Sequence, residues 1–137
     1  MIILDTDVLS GLMTADASVI GWLDRQPQAS VWTTVVSIFE VRYGLMTMPT
    51  GRRQALRAMQ FERVVEEDLE GRILVFDGLA AEQAAALMAA RRVEGRPRDL
   101  RDTMIAGIAQ ARRATIATRN GRYFDDVTVP VVDPWGE

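Results

Sequence analysis

Met1-Ile2-Ile3-Leu4-Asp5-Thr6-Asp7 opens the chain as an apolar run that stops abruptly on polar residues. Such a run reads as a short buried strand that delivers its acids at the C-terminal end. The same signature returns at Val31-Trp32-Thr33-Thr34, Ile73–Phe76, Thr115–Thr118 and Val129–Val132. Helical segments fill the gaps. Ala17–Arg25 carries Val19, Ile20, Trp22 and Leu23 mostly on one stripe, with Asp16 as N-cap and a stop near Pro27. From Ser37 to Met46, Ile38, Val41 and Leu45 recur at helical spacing, with Phe39, Glu40 and Tyr43 beside them. Gly51–Glu70 reads as a charged amphipathic helix with Leu56, Met59 and Val64 inward, closed by Gly71. Leu79–Val93 is Ala-rich and stops before Gly95-Arg96-Pro97, and Asp99 caps a last helix to about Arg112 with Ile105, Ile108 and Ala109 buried. Strands alternating with helices throughout predict an α/β/α sandwich around a mainly parallel sheet of four to five strands. Sites in such sheets collect at the C-terminal strand edges, where Asp5, Thr34 and Thr118 are expected.

The 137 residues are 48% hydrophobic and 26% charged, which predicts one domain over 1–137 without linkers or low-complexity segments. The longest uncharged run, fourteen residues between Arg25 and Glu40, is too short to span a bilayer. No basic segment precedes the first apolar stretch, so a secretory signal is not expected and the cytoplasm is the expected compartment. Three residue types are missing. Without Cys there are no disulfides, thiolate nucleophiles or Cys-based metal centres. Without His there is no Ser-His-Asp triad, and without Lys there is no P-loop or Schiff base. Carboxylates, hydroxyls, amides and the 16 Arg guanidinium groups remain, so an enzyme built from this chain works through carboxylates, alone or around a hard metal ion. The net charge of −3 gives no bulk attraction for nucleic acid. Five Arg nevertheless crowd into Arg91–Arg101, either a solvated helix end or the edge of a polyanion site.

Three acids stand out. Asp5 follows the first strand directly, as a helix cap or as a carboxylate suited to a metal or to nucleophilic attack. Phosphate-accepting Asp residues of response receivers and haloacid-dehalogenase-type phosphatases start similarly but need a downstream Lys, which is absent here. Glu40 lies amid Val36, Ile38, Phe39, Val41 and Tyr43, where burial without a partner is costly; otherwise it pairs with Arg42 or Arg63 at the surface. Asp102 falls in the first turn of its helix, where it favours the helix dipole and imitates a capping box with Asp99. Thr118 and Asn120 form a turn or donate to phosphate oxygens or metal-held water.

These residues together resemble the PIN-domain ribonucleases, specifically VapC/FitB-like toxins of bacterial toxin–antitoxin modules. The resemblance is carried in order by Ile2–Val8, Phe39-Glu40-Val41-Arg42-Tyr43-Gly44, Gly51-Arg52-Arg53, Gly71-Arg72-Ile73-Leu74, Gly95-Arg96-Pro97, Asp102 ahead of Ile105-Ala106, Ala117-Thr118-Arg119-Asn120 and Val132-Asp133-Pro134-Trp135. It implies a PIN-like fold and a Mg²⁺- or Mn²⁺-dependent endoribonuclease, with Asp5, Glu40 and Asp102 as metal ligands and catalytic acids. Thr6, Thr118 and Asn120 would orient them or the phosphate. It further implies an RNA substrate, a cognate antitoxin, a homodimer, promoter DNA contacted only through the antitoxin, and no membrane.

Two positions depart from the pattern. Asp7 stands where the family usually has Asn, and Tyr123 stands where it usually has a fourth acid. Asp7, Asp125 or Asp126 is then the compensating acid, or three acids suffice. Tyr123 favours the alternative of a catalytically weakened PIN protein that binds RNA or serves in an antitoxin complex on DNA. A carboxylate-pair glycosidase also fits the missing His and Lys, but three Trp offer little of the aromatic lining a sugar cleft needs.

Overall fold

In the computed structural model, which describes residues 1–136, five strands form one all-parallel sheet in the order β3-β2-β1-β4-β5. These are β1 (Ile2–Leu4), β2 (Val31–Thr34), β3 (Ile73–Leu74), β4 (Thr115–Ala117) and β5 (Val131–Val132). Helices α1 (Thr6–Met13) and α2 (Ala17–Asp24) join β1 to β2. Helices α3 (Val35–Thr47) and α4 (Arg52–Arg63) join β2 to β3, and α5 (Gly78–Val93) and α6 (Leu100–Arg112) join β3 to β4. Ile3 aligns with Trp32 on one side and Ile116 on the other.

Side chains alternate across a strand, so Ile3 and Leu4 enter different cores. Leu4 joins Val8, Leu9, Val19, Phe61 and Leu69 beneath α1, α2 and α4. Ile3 joins Leu74, Ile105, Ile108, Ile116 and Phe124 beneath α5 and α6. The expected sandwich is therefore present. The caps at Asp16 and Asp99 are too: Asp16 accepts from the Ser18 and Val19 N–H groups, and Asp99 from those of Arg101 and Asp102.

The segment 51–70 differs from expectation. The α-helix ends at Arg63 and continues as a π-turn over Val64–Asp68, and its inward residues are Phe61, Val64 and Leu69. Val64 is inward as expected, whereas Leu56 and Met59 are about half exposed and Phe61 takes the inward position in their place. Strand β3 is also shorter than Ile73–Phe76. Among the described residues, no helix is long and apolar enough to cross a membrane.

The chain moves from β1 outward to β2 and β3, then returns to place β4 on the other flank of β1. The order of strands thus reverses between β1 and β4, and a crevice opens beyond their C-terminal ends. Close packing of α5 on α6 sets where α6 begins at this crevice. A Cβ on Gly107 would lie 2.6 Å from the Ala80 carbonyl oxygen and 2.7 Å from Ala84 Cβ, so only glycine permits the approach. Gly→Ala in an exposed helix stabilises; here the clash with backbone dominates, and Gly107→Ala should lower stability by about 1–3 kcal/mol in urea unfolding. A stabilised variant would contradict this packing.

Candidate active site

Asp5 ends the ladder of β1. Its N–H donates to the Ala117 carbonyl (3.1 Å) while its Oδ1 accepts the Val8 N–H (3.0 Å), so one residue closes the strand and caps α1. Thr33 Oγ1 donates to the Leu4 carbonyl (2.9 Å), tying β2 to the same edge. Asp5 is only 5% exposed. Burial pushes its carboxyl up to about 6; bonds from the Thr118 hydroxyl and Val8 N–H oppose the rise, and the charges of Asp7 and Asp102 add to it.

Four further acids, Asp7, Glu40, Asp99 and Asp102, share its cavity, a volume of about 580 Å³ that Thr6 and Asn120 also line. Asp102 comes from the first turn of α6 and is half-buried. Burial again pushes it up to about 6, with Asp99, Glu40 and Asp7 adding to the rise and Arg101 offsetting it. Glu40 comes from the middle of α3. Thr6 Oγ1 donates to Glu40 Oε1 (2.8 Å) and lies 3.0 Å from Ser37 Oγ, so α1 orients an acid carried by α3. Asp7 Oδ2 accepts from Asn120 Nδ2 (2.6 Å). Thr118 sits fully buried below, where its Oγ1 accepts the Asn120 N–H (3.0 Å) and shapes that turn.

The expected site residues are therefore brought together, with two exceptions. Asp125 is paired with Arg96 (2.9 Å) and Arg98 (3.2 Å), and Asp126 with Arg91 (2.8 Å). Neither lines the cavity, each being paired with arginine, whereas Asp7 does. Glu40 does not pair with Arg42 or Arg63 either: Arg42 is bound to Glu62 (3.1 Å). Instead Arg101 Nη1 lies 3.5 Å from Glu40 Oε2. Arg101 and Ser37 escaped the sequence reading; only the position of Arg101 beside Asp102, within the Arg91–Arg101 run, signalled it.

The donor set suits a hard divalent cation, which takes carboxylate oxygens and water. Asp5 and Asp102 each feel the other acids as like charges, and a cation would relieve that repulsion. Among the described residues, no three acids are already drawn into a metal-holding group. Glu40 is turned to Thr6 and Arg101, and Asp7 to Asn120. The residues fit the ion by the chemistry of their donors.

The raised acids make the ion-free protein pH-sensitive. The folded state keeps protons on Asp5 and Asp102 that the unfolded chain has released, so stability falls as pH rises from about 4 to about 6. Asp5→Asn retains an oxygen to cap α1 and cannot ionise. In chelator, urea unfolding should show this variant more stable than the natural protein by about 1–3 kcal/mol near neutral pH, with the gap narrowing toward pH of about 4. A gap independent of pH would contradict the buried-charge account.

Comparison with known proteins places the chain in a family and its fold among solved structures. The model of the PIN domain family matches residues 2–130. The chain is 34% identical over 137 residues to "VapC ribonuclease Y4jK" of Sinorhizobium fredii, covering 98% of each protein. It is 28% identical to "Toxin FitB" of Neisseria gonorrhoeae, over 98% of this chain and 99% of that one. The structure of FitAB bound to an IR36 DNA fragment superposes with a TM-score of 0.88 at 28% identity, over 100% of this chain and 97% of that one. The family model over most of the chain and the 34% identical relative together show that the chain belongs to the PIN-domain family.

Proposed function

We propose that this protein is a divalent-metal-dependent endoribonuclease toxin of a toxin–antitoxin module. The observation that carries this reading is the convergence of Asp5, Asp7, Glu40 and Asp102 in one crevice, in a chain without His, Cys or Lys. Asp5, Glu40 and Asp102 would hold Mg²⁺ or Mn²⁺, with Asp7 as the fourth carboxylate. Such an ion, when bound, supplies activation of water for in-line attack on a phosphodiester and offsets charge on the scissile phosphate. The chain's own groups fix the geometry. Asp5 is held by the strand edge, Glu40 by Thr6, and Asp7 by Asn120, which in turn is held by Thr118. Arg101 in the cavity wall, with a half-exposed side chain, offers guanidinium donors to the RNA backbone.

Similarity to a VapC ribonuclease, to toxin FitB and to the FitAB complex on DNA supports a partner antitoxin, with promoter DNA reached through that partner. A second cavity of about 660 Å³ between α1, α3 and α4, lined by Met13, Val41, Leu45 and Met48 with Arg53 and Arg57, is suited to an antitoxin segment. Phe39 and Tyr43, each 61% exposed on α3, are available to a homodimer contact.

The weakened-PIN reading has one observation in its favour. Tyr123 lines the cavity where the resemblance places an acid, and a neutral phenol is a poor ligand for a hard ion. Cleavage of mixed RNA with and without Mn²⁺ separates the two readings. Asp5→Asn should abolish cleavage and growth inhibition while its circular dichroism is unchanged. Full cleavage by the folded variant would overturn the carboxylate-centred account.

Asp7 is expected to do the work that Tyr123 cannot. By calorimetry, Asp7→Asn should weaken Mn²⁺ binding by about tenfold, and adding Tyr123→Asp should restore most of the loss. Unchanged affinity in Asp7→Asn would mean that three acids suffice.

A further inference from the structure

Five carboxylates line the cavity, and among the described residues a single guanidinium lies within ion-pair distance of any of them. It belongs to Arg101, whose Nη1 is 3.5 Å from Glu40 Oε2. The same side chain is strung back to Asp99, which accepts from Nε at 3.3 Å and from Nη2 at 3.2 Å. Arg101 thus bridges two acids across the cavity wall, starting from the residue just before Asp102 on α6.

Its contact with Glu40 differs in kind from the structural ion pair nearby. Arg91 is 2% exposed and grips Asp126 through two bonds of 2.8 Å, with Thr103 and the Tyr123 carbonyl completing its donors. Arg101 is 49% exposed and approaches Glu40 with one nitrogen at 3.5 Å, outside hydrogen-bonding range for most donors. Such a pair is weak and exchangeable. Glu40 cannot serve a divalent cation with both oxygens free while the guanidinium lies on Oε2 and Thr6 on Oε1. Once displaced, the guanidinium remains tethered through Asp99 at the cavity wall, and its planar fork matches two phosphate oxygens.

We propose that Arg101 is an exchangeable cation: it neutralises Glu40 while no divalent ion is held, and passes to a phosphate of bound RNA when one is. The proposal deepens the ribonuclease reading and rests on it. It gives the same side chain opposite effects on two ligands, which a purely structural residue does not have.

The test uses the full chain as the natural protein, Arg101→Gln and Arg101→Lys, with circular dichroism to confirm folding. Mn²⁺ is titrated calorimetrically into chelator-treated protein, and a fluorescent single-stranded RNA oligonucleotide is bound in Ca²⁺ over a range of salt. Arg101→Gln should bind Mn²⁺ about threefold tighter, because its competitor at Glu40 is gone. It should bind RNA about fivefold more weakly, with a salt slope smaller by about one. Arg101→Lys keeps the charge and should return both toward the natural values, with RNA binding only partly restored because the fork is lost. Mn²⁺ affinity that is unchanged or lower in Arg101→Gln overturns the exchange. RNA affinity that does not fall also overturns it. Failure of the natural protein to bind Mn²⁺ at all overturns the ribonuclease reading itself, and the exchange with it.

Discussion

Burial of carboxylates at the C-terminal edge of the sheet, with their mutual repulsion added to it, is the constraint on which the candidate site depends. Carboxylates left free to move would separate into solvent. Here they cannot, because each is held by a different element. The β1 ladder fixes Asp5, the first turn of α6 fixes Asp102, and hydrogen bonds from Thr6 and Asn120 hold Glu40 and Asp7. The sheet topology is what allows this. Parallel strands bring β1 and β4 to the same edge, and the reversal of strand order leaves that edge open between the two helix layers. Stored repulsion of this kind is a feature of sites that bind a cation, and its cost is borne by the two large apolar cores on either side of the sheet.

Arginine balances much of the remaining charge, and its placement separates structure from function. Arg91 is a buried clamp that joins α5 to α6 through Thr103 and to the segment after β4 through Asp126 and the Tyr123 carbonyl. Buried ion pairs add little net stability, yet removal of one partner leaves an uncompensated charge, so such a clamp specifies geometry more than it stabilises. Arg96 and Arg98 extend the same arrangement on Asp125. The segment 121–126 is therefore held in place by its own acids, and Tyr123 is presented to the cavity as a consequence. Asp125 and Asp126 are consumed in building that wall.

Much of this was legible in the sequence because it depends on short-range rules. The apolar run before Asp5, the caps at Asp16 and Asp99, and the helix Leu100–Arg112 with Ile105, Ile108 and Ala109 inward all follow from neighbours within a turn or two. Asp5, Glu40 and Asp102 were singled out by residue type, by position at element ends and by the family resemblance; their convergence is a property of the topology. What escaped depends on partners distant in sequence. Leu56 and Met59 turn outward because the inward face of α4 runs through Gln54, Arg57, Ala58 and Phe61, so that two polar residues hold positions that hydrophobicity alone does not assign to the inside. Glu40 was assigned arginines near it in sequence or on the next helix, whereas its partners are Thr6 and Arg101, from α1 and α6. The five arginines of the Arg91–Arg101 run divide into a buried clamp (Arg91), two residues held on Asp125 (Arg96 and Arg98), the exposed Arg92, and Arg101 at the acids.

The carboxylate-lined crevice is proposed as a divalent-cation site at which RNA is cleaved. The most direct test is anomalous diffraction from crystals of the full chain grown with Mn²⁺. The account predicts an anomalous peak in the crevice ligated by Asp5 with Glu40 or Asp102, and Arg101 turned away from Glu40. A crevice without a peak, its side chains in the arrangement described above, in a protein that still cleaves RNA, would contradict it.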